Sequence, residues 1–210
     1  MLQGTGFILF LTASVALIVT PGPDMIYVVT RGIAQGRAAG LVSAWGACSG
    51  LILHTMLASL GLSALLQSSV TAFTIVKYAG AAYLIYLGIK AFLNCEHFSV
   101  PQESAAELQL KKVFLQGMLS NVLNPKIALF FLAFLPQFVS PALGSVALQM
   151  LVLGLIFTVL ALLVFNVIAC FSGTLGGWLT QKPAFADGLR WLTGSVLVGL
   201  GLRLALPNQV

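Results

Sequence analysis

Charge is what this sequence most lacks. Only 7% of its 210 residues are Asp, Glu, Lys or Arg, while 59% are hydrophobic. A soluble domain carries roughly a quarter charged residues, so this chain has too few to cover a water-facing surface. Acids are the scarcest: Asp24, Glu96, Glu103, Glu107 and Asp187. The cysteines Cys48, Cys95 and Cys170 are too scattered for a redox pair or a metal site. They read as small apolar residues. No Walker lysine-serine pair, nucleophile elbow or zinc motif occurs, which argues against an ATP-driven pump. Paired carboxylates and nucleophile–base pairs, which would mark an enzyme, are also missing. No cofactor and no metal site are expected. The stretch Met1 to Phe10 carries no charged side chain, so the opening apolar run lacks the basic head of a secretory signal and reads as a membrane span.

What the sequence has instead is long apolar runs, with a mean hydropathy of +1.03. They are continuous, whereas membrane β-strands alternate apolar and polar residues. The fold class is therefore an all-α integral membrane protein with lipid as its surroundings. A span needs about 20 residues, and six fit. They are expected at about Thr5–Thr30, Gly40–Leu66, Phe73–Leu93, Val113–Phe138, Val146–Phe171 and Leu189–Leu206. Arg31–Arg37 reads as a basic connection, Gln67–Thr71 as a short turn and Gly173–Gly188 as a glycine-rich connection containing Pro183. Asn94–Lys112 reads as a polar surface loop, because Pro101 opposes a helix there.

The net charge of +5 is a statement about topology, not about nucleic acid. Arg31, Arg37, Lys90, Lys111, Lys112, Lys182 and Arg190 fall beside the connections after spans one, three and five. Only Lys77 and Arg203 fall on the opposite side. Basic loops stay in the cytoplasm, so both termini are expected outside.

Two spans are broken. The first holds Thr20-Pro21-Gly22-Pro23-Asp24 and the fourth holds Asn124-Pro125-Lys126. Proline lacks the donor a helix needs and clashes with the preceding turn, yet it is well suited to begin a new helix. The single transmembrane domain 1–210 thus divides into repeat one (about 1–93), a loop (94–112) and repeat two (113–210), each opening on a broken span. Three spans per repeat make the halves run in opposite directions. That is the inverted-repeat plan of many secondary transporters, whose sites lie on discontinuous helices. The half-helices should offer N-terminal amides able to hold a carboxylate. Counted from the span starts, the first break lies roughly 24 Å along its helix and the second roughly 18 Å, so the two meet only if span one tilts strongly.

Asp24 and Lys126 are the charges inside these spans, where a charge costs roughly 2.5–3.5 kcal/mol. Three readings are open: a closed ion pair, a site for the two ends of a zwitterion, or a proton carrier. In the second, Asp24 takes an ammonium, and Lys126 with the free amides takes a carboxylate. The substrate-binding candidates are Pro21, Gly22, Pro23, Asp24, Asn121, Asn124, Pro125 and Lys126. His54 shares a small or polar stripe with Ser43, Ala47, Gly50, Ala58 and Gly61. It reads either as a packed histidine or as a proton-coupling group beside Asp24. Gln116, Ser120 and Asn124 share a face of span four, suited to a polar path or to bonds between helices. Gly32, Gly36 and Gly40 read as close packing or a hinge.

Pro21-Gly22-Pro23-Asp24, Asn124-Pro125-Lys126, Gly50 with His54, Lys77-Tyr78-Ala79-Gly80-Ala81-Ala82-Tyr83-Leu84 with Gly88, and the ending Gly194 to Leu204 together resemble the LysE/RhtB amino-acid exporter superfamily (homoserine, threonine and leucine-type exporters). The resemblance covers essentially the whole chain. It implies a bacterial inner-membrane carrier that exports amino acids or close derivatives as an antiporter driven by protons. Family members also carry asparagine at the position of Asp24. The expected partners are therefore a small amino acid, protons and lipid, with homo-oligomers suited to the glycine-rich faces. The rival readings are export of another small metabolite or a metal cation, and a non-transport assembly subunit. One histidine and one aspartate make a poor metal set.

Overall fold

Proline and glycine decide where the helices stop. The structure, a computed structural model, describes residues 4–62, 69–93, 109–181 and 183–206. Helix α1 (Gly4–Val19) ends ahead of Pro21, and α2 (Pro23–Gln35) starts on Pro23 with Gly22 extended as its N-cap. Gly36, at φ 86°, is all that separates α2 from α3 (Arg37–Leu57). That backbone geometry favours glycine. The expected basic connection Arg31–Arg37 is thereby corrected: Arg31 to Gln35 stay helical, and one glycine makes the turn. Helix α3 runs on into a π-turn at Ala58–Leu62, and α4 spans Val70–Leu93. Most of the expected polar loop, 94–108, and residues 67 and 68 of the expected turn Gln67–Thr71 lie outside the described residues, while Val70 and Thr71 already belong to α4.

The second break repeats the first. Helix α5 (Leu110–Val122) stops before Asn124, and α6 (Pro125–Leu129) restarts on a proline. A π-turn at Phe130–Phe134 and 3₁₀ turns at Leu135–Phe138 and Pro141–Leu143 follow. The bends are 50° at the first break and 48° at the second. Helix α7 runs from Val146 to Gln181, and α8 from Pro183 to Ala205. The expected glycine-rich connection from Gly173 is therefore helical through most of its length. In water glycine costs a helix roughly 1 kcal/mol per residue. In a membrane an unpaired backbone costs more, so glycine is common in spanning helices.

Among the described residues three helices are long and apolar enough to cross a membrane, or five if each bent pair counts as one span. Helix α8 is not among them. No strand occurs among the described residues. The polarity is inside-out relative to a soluble protein. Ser14, Thr20, Asp24, Ser43, Asn121 and Asn124 are buried, while Leu148, Leu155, Val159, Leu163 and Val167 make an exposed stripe on α7. Such a stripe is what a membrane-spanning helix can expose, while polar side chains in spanning segments turn inward. Phe10, Phe130, Phe131, Phe134 and Phe157 fill the apolar core.

Small residues set the helix spacing. A methyl added to Gly50 would lie 2.8 Å from Asn121 Cβ, and one on Gly117 2.7 Å from the Ser43 carbonyl, so α3 and α5 touch along the expected stripe. Gly32 and Gly40 bring α2, α3 and α7 together: a methyl on Gly40 would meet Gly32 Cα at 3.1 Å and Ala169 Cβ at 3.3 Å. Helices α4 and α8 run antiparallel. Phe92 meets Trp191 at 4.9 Å at one end. At the other, Lys77 Nζ donates to the Leu206 carbonyl at 3.2 Å. Lys77 is counted on the side opposite the basic connections, and this contact places it at the end of α8. It is buried and closes the end of α8.

Candidate functional site at the paired helix breaks

Each proline leaves one carbonyl without its helical donor, four residues back. For Pro21 that carbonyl is Leu17, and Lys126 Nζ donates to it at 3.1 Å. Lys126 also donates to the Thr20 carbonyl at 2.8 Å, which α1 leaves open at its end. A cation at a helix C-terminus is favourable for the dipole as well. For Pro125 the carbonyl is Asn121, and His54 Nε2 lies 3.3 Å from it. A carbonyl only accepts, so Nε2 carries the hydrogen in that contact. The backbone N–H of Asn124 donates to the same carbonyl at 2.9 Å. The His54 ring stacks on Phe131 at 5.7 Å.

Asp24 opens α2 and is 2% exposed. Its Oδ2 accepts from Asn121 Nδ2 at 2.8 Å and from Asn124 Nδ2 at 3.0 Å. Its Oδ1 is buried without a partner. Asn124 works in both directions, because its Oδ1 accepts from the Lys126 backbone N–H at 3.0 Å and caps α6. The expected free amides of α6 are thus corrected: Asn124 takes the Lys126 amide itself, and the Ile127 and Ala128 amides donate to the Asn124 carbonyl.

The two breaks therefore meet. Asn121 and Asn124 hold the start of α2, and Lys126 holds the end of α1. The offset expected from counting residues is absorbed by the bends and by the start of α5 at Leu110. Gly22 lies where this needs room, since a methyl there would come 3.0 Å from Lys126 Nζ. Pro23 and Pro125 are exposed, so they shape the breaks through the backbone.

Among the described residues no ion pair joins Asp24 to Lys126. Two buried opposite charges each sit in a separate shell, one of amides and one of carbonyls. Lys126 uses two of its three N–H donors on those carbonyls. No group of three or more His, Cys, Asp or Glu able to hold a metal ion occurs among the described residues.

Sequence reasoning passed over Tyr27. Its hydroxyl lies 3.0 Å from the Val113 carbonyl and 3.1 Å from Gln116 Oε1. Arg31 Nη2 donates to the same Gln116 oxygen at 3.0 Å. Spacing offered a faint signal, since Asp24, Tyr27 and Arg31 recur on one side of α2.

The profile of the LysE type translocator matches residues 15–208. The chain belongs to the LysE translocator family. It is a membrane translocator, not an enzyme. Among its relatives, the uncharacterized membrane protein YrhP of Bacillus subtilis is 34% identical over 94% of this chain and 97% of its own length. An uncharacterized membrane protein of Pseudomonas aeruginosa is 30% identical over 96% and 95%. The homoserine/homoserine lactone efflux protein of Salmonella typhimurium is 32% identical over 93% of this chain and 94% of its own length. No solved structure matches the chain.

Proposed function

We propose that this LysE-family translocator exports a small amino acid or a close derivative from the cytoplasm, by alternating access coupled to protons. The observation carrying the proposal is that Asp24 and Lys126 are both buried and are not paired with each other. A structural ion pair would have closed on itself. Here Asp24 keeps an unpartnered oxygen for an ammonium, and Lys126 keeps a donor for a carboxylate. Two such groups suit a zwitterion. An efflux protein for homoserine and its lactone is among the relatives, which fits a substrate of this size and polarity. His54 and Asp24 are the proton-coupling candidates, linked through Asn121.

The six-span inverted repeat belongs to the same proposal, with repeat one over 1–93 and repeat two over 113–210; of the expected loop 94–112, Leu110 to Lys112 are helical and open α5. The repeat is supported by the nearly equal bends of α1–α2 and α5–α6 and by the course of the helices. Contacts of α5 with α2 and α3, of α3 with α7, and of α4 with α8 support Arg31, Arg37, Lys90, Lys111, Lys112 and Arg190 lying toward one end. We assign that end to the cytoplasm of a bacterial inner membrane, with both termini outside.

The test is thermal stability of the purified protein against individual amino acids and their esters. Neutral polar amino acids should raise the melting temperature, and the gain should disappear in Asp24→Asn and Lys126→Met. Stabilisation that survives in both variants would remove the assigned site.

A further inference from the structure

Helices α2 and α5 form a seam that starts at Asp24 and runs toward the basic end of the molecule. At its inner end the seam is held by Asn121 and Asn124 on Asp24. Farther along it is held by a second set of polar contacts that binding does not use. Tyr27 offers its hydroxyl to Val113 O and Gln116 Oε1, and Arg31 donates to Gln116 Oε1. The Arg31 guanidinium also lies over the Tyr27 ring, 5.3 Å from its centre. The Tyr27 ring lies against α5 at Gly117, where an added methyl would sit at van der Waals distance, 3.4 Å, from Tyr27 Cε1. From Asp24 to Arg31 is seven residues, roughly 10 Å of helix. The second set therefore lies between the site and the basic end.

These contacts join α2, which follows the first break, to α5, which precedes the second. They are polar and half-buried, so water can replace them when the helices part. A purely apolar seam has no such exchange. On the far side of the site Lys126 ties α6 to the end of α1, so each side has its own fastening.

We infer that Tyr27, Arg31 and Gln116 form the gate between the site and the basic end of the protein, and that this structure holds it closed. Opening it separates α2 from α5 and exposes the site to that end. The inference goes beyond the proposed substrate, and its test needs no substrate.

Cys48 supplies the reporter. It is 4% exposed on α3, the helix whose Gly50 packs against Asn121, a hydrogen-bond partner of Asp24. Cys95 and Cys170 are replaced by serine, and a membrane-impermeant maleimide is applied to sealed vesicles of each orientation. In the parent Cys48 should react slowly from both faces. Tyr27→Phe should speed labelling about fivefold, the population change produced by losing one neutral hydrogen bond, and Gln116→Leu, which also removes the acceptor of the charged Arg31 bond, about tenfold or more, in both cases only from the face carrying Arg31. Tyr27→Phe keeps the ring and its packing, so it isolates the hydroxyl if Gln116→Leu folds poorly. Unchanged labelling in Tyr27→Phe, or acceleration from the opposite face, would overturn the gate while leaving amino-acid export untouched. Loss of substrate-dependent stabilisation with gated labelling intact would do the reverse.

Discussion

At the residue scale, the site is built from groups that answer each other's unsatisfied valences. Lys126 takes the carbonyl that Pro21 orphans, and His54 takes the one that Pro125 orphans. Asp24 is left with one open oxygen. Replacing that carboxylate by an amide keeps a carbonyl oxygen for Asn121 and Asn124 but removes the charge and the open acceptor. A hydrogen bond to a charged group contributes about 1.5–3 kcal/mol. Asp24→Asn should therefore weaken half-saturation by substrate about 10- to 100-fold with little loss of protein in the membrane, read as concentration-dependent efflux. An unchanged half-saturation would make Asp24 a structural residue. The sequence singled out Asp24 and Lys126 because a charge beside a proline stands out in an apolar run, and Asn121 and Asn124 because they are polar side chains in span four. The partners of Lys126 were not legible, because backbone carbonyls leave no mark in a sequence. Tyr27 was missed because an amphipathic ring in a membrane helix has no distinctive pattern.

At the element scale, glycine sets how close the helices lie. The stripe Ser43, Ala47, Gly50 and His54 was readable from steps of three and four, and the helix it meets is α5. Gly50→Ala should cost about 1–3 kcal/mol by overpacking, lower the melting temperature and displace Asn121 from Asp24, so transport falls as well. Gly199→Ala is the control: nothing lies within 4 Å of its added methyl, and both properties should stay at wild-type values. Equal effects at the two positions would show that α3 and α5 are not in the contact described. The connections were the least legible elements. Glycine normally marks a loop, but here Arg31–Gln35 and the backbone from Gly173 to Gln181 are helical. Lipid penalises an unpaired backbone more than glycine penalises a helix.

At the scale of the whole molecule, the proposed orientation rests on where the basic residues gather. Lys77, counted against the basic end, is buried and caps α8. A reporter that works only outside the cytoplasm, fused after Val210, should be active, and the same reporter inserted between residues 94 and 108 should be silent. The opposite pattern would invert the topology and make the gate at Arg31 an exit. The central claim is that two helix breaks share one site for a zwitterion. It is tested most directly by efflux of preloaded amino acids from proteoliposomes, with and without an inward proton gradient, in wild type and in Lys126→Met. Wild type should release a neutral polar amino acid faster with the gradient. Lys126→Met, reconstituted in equal amount, should release it at least about tenfold more slowly, as expected for losing hydrogen bonds from a charged donor. Gradient-driven release by Lys126→Met at the wild-type rate would contradict the shared site.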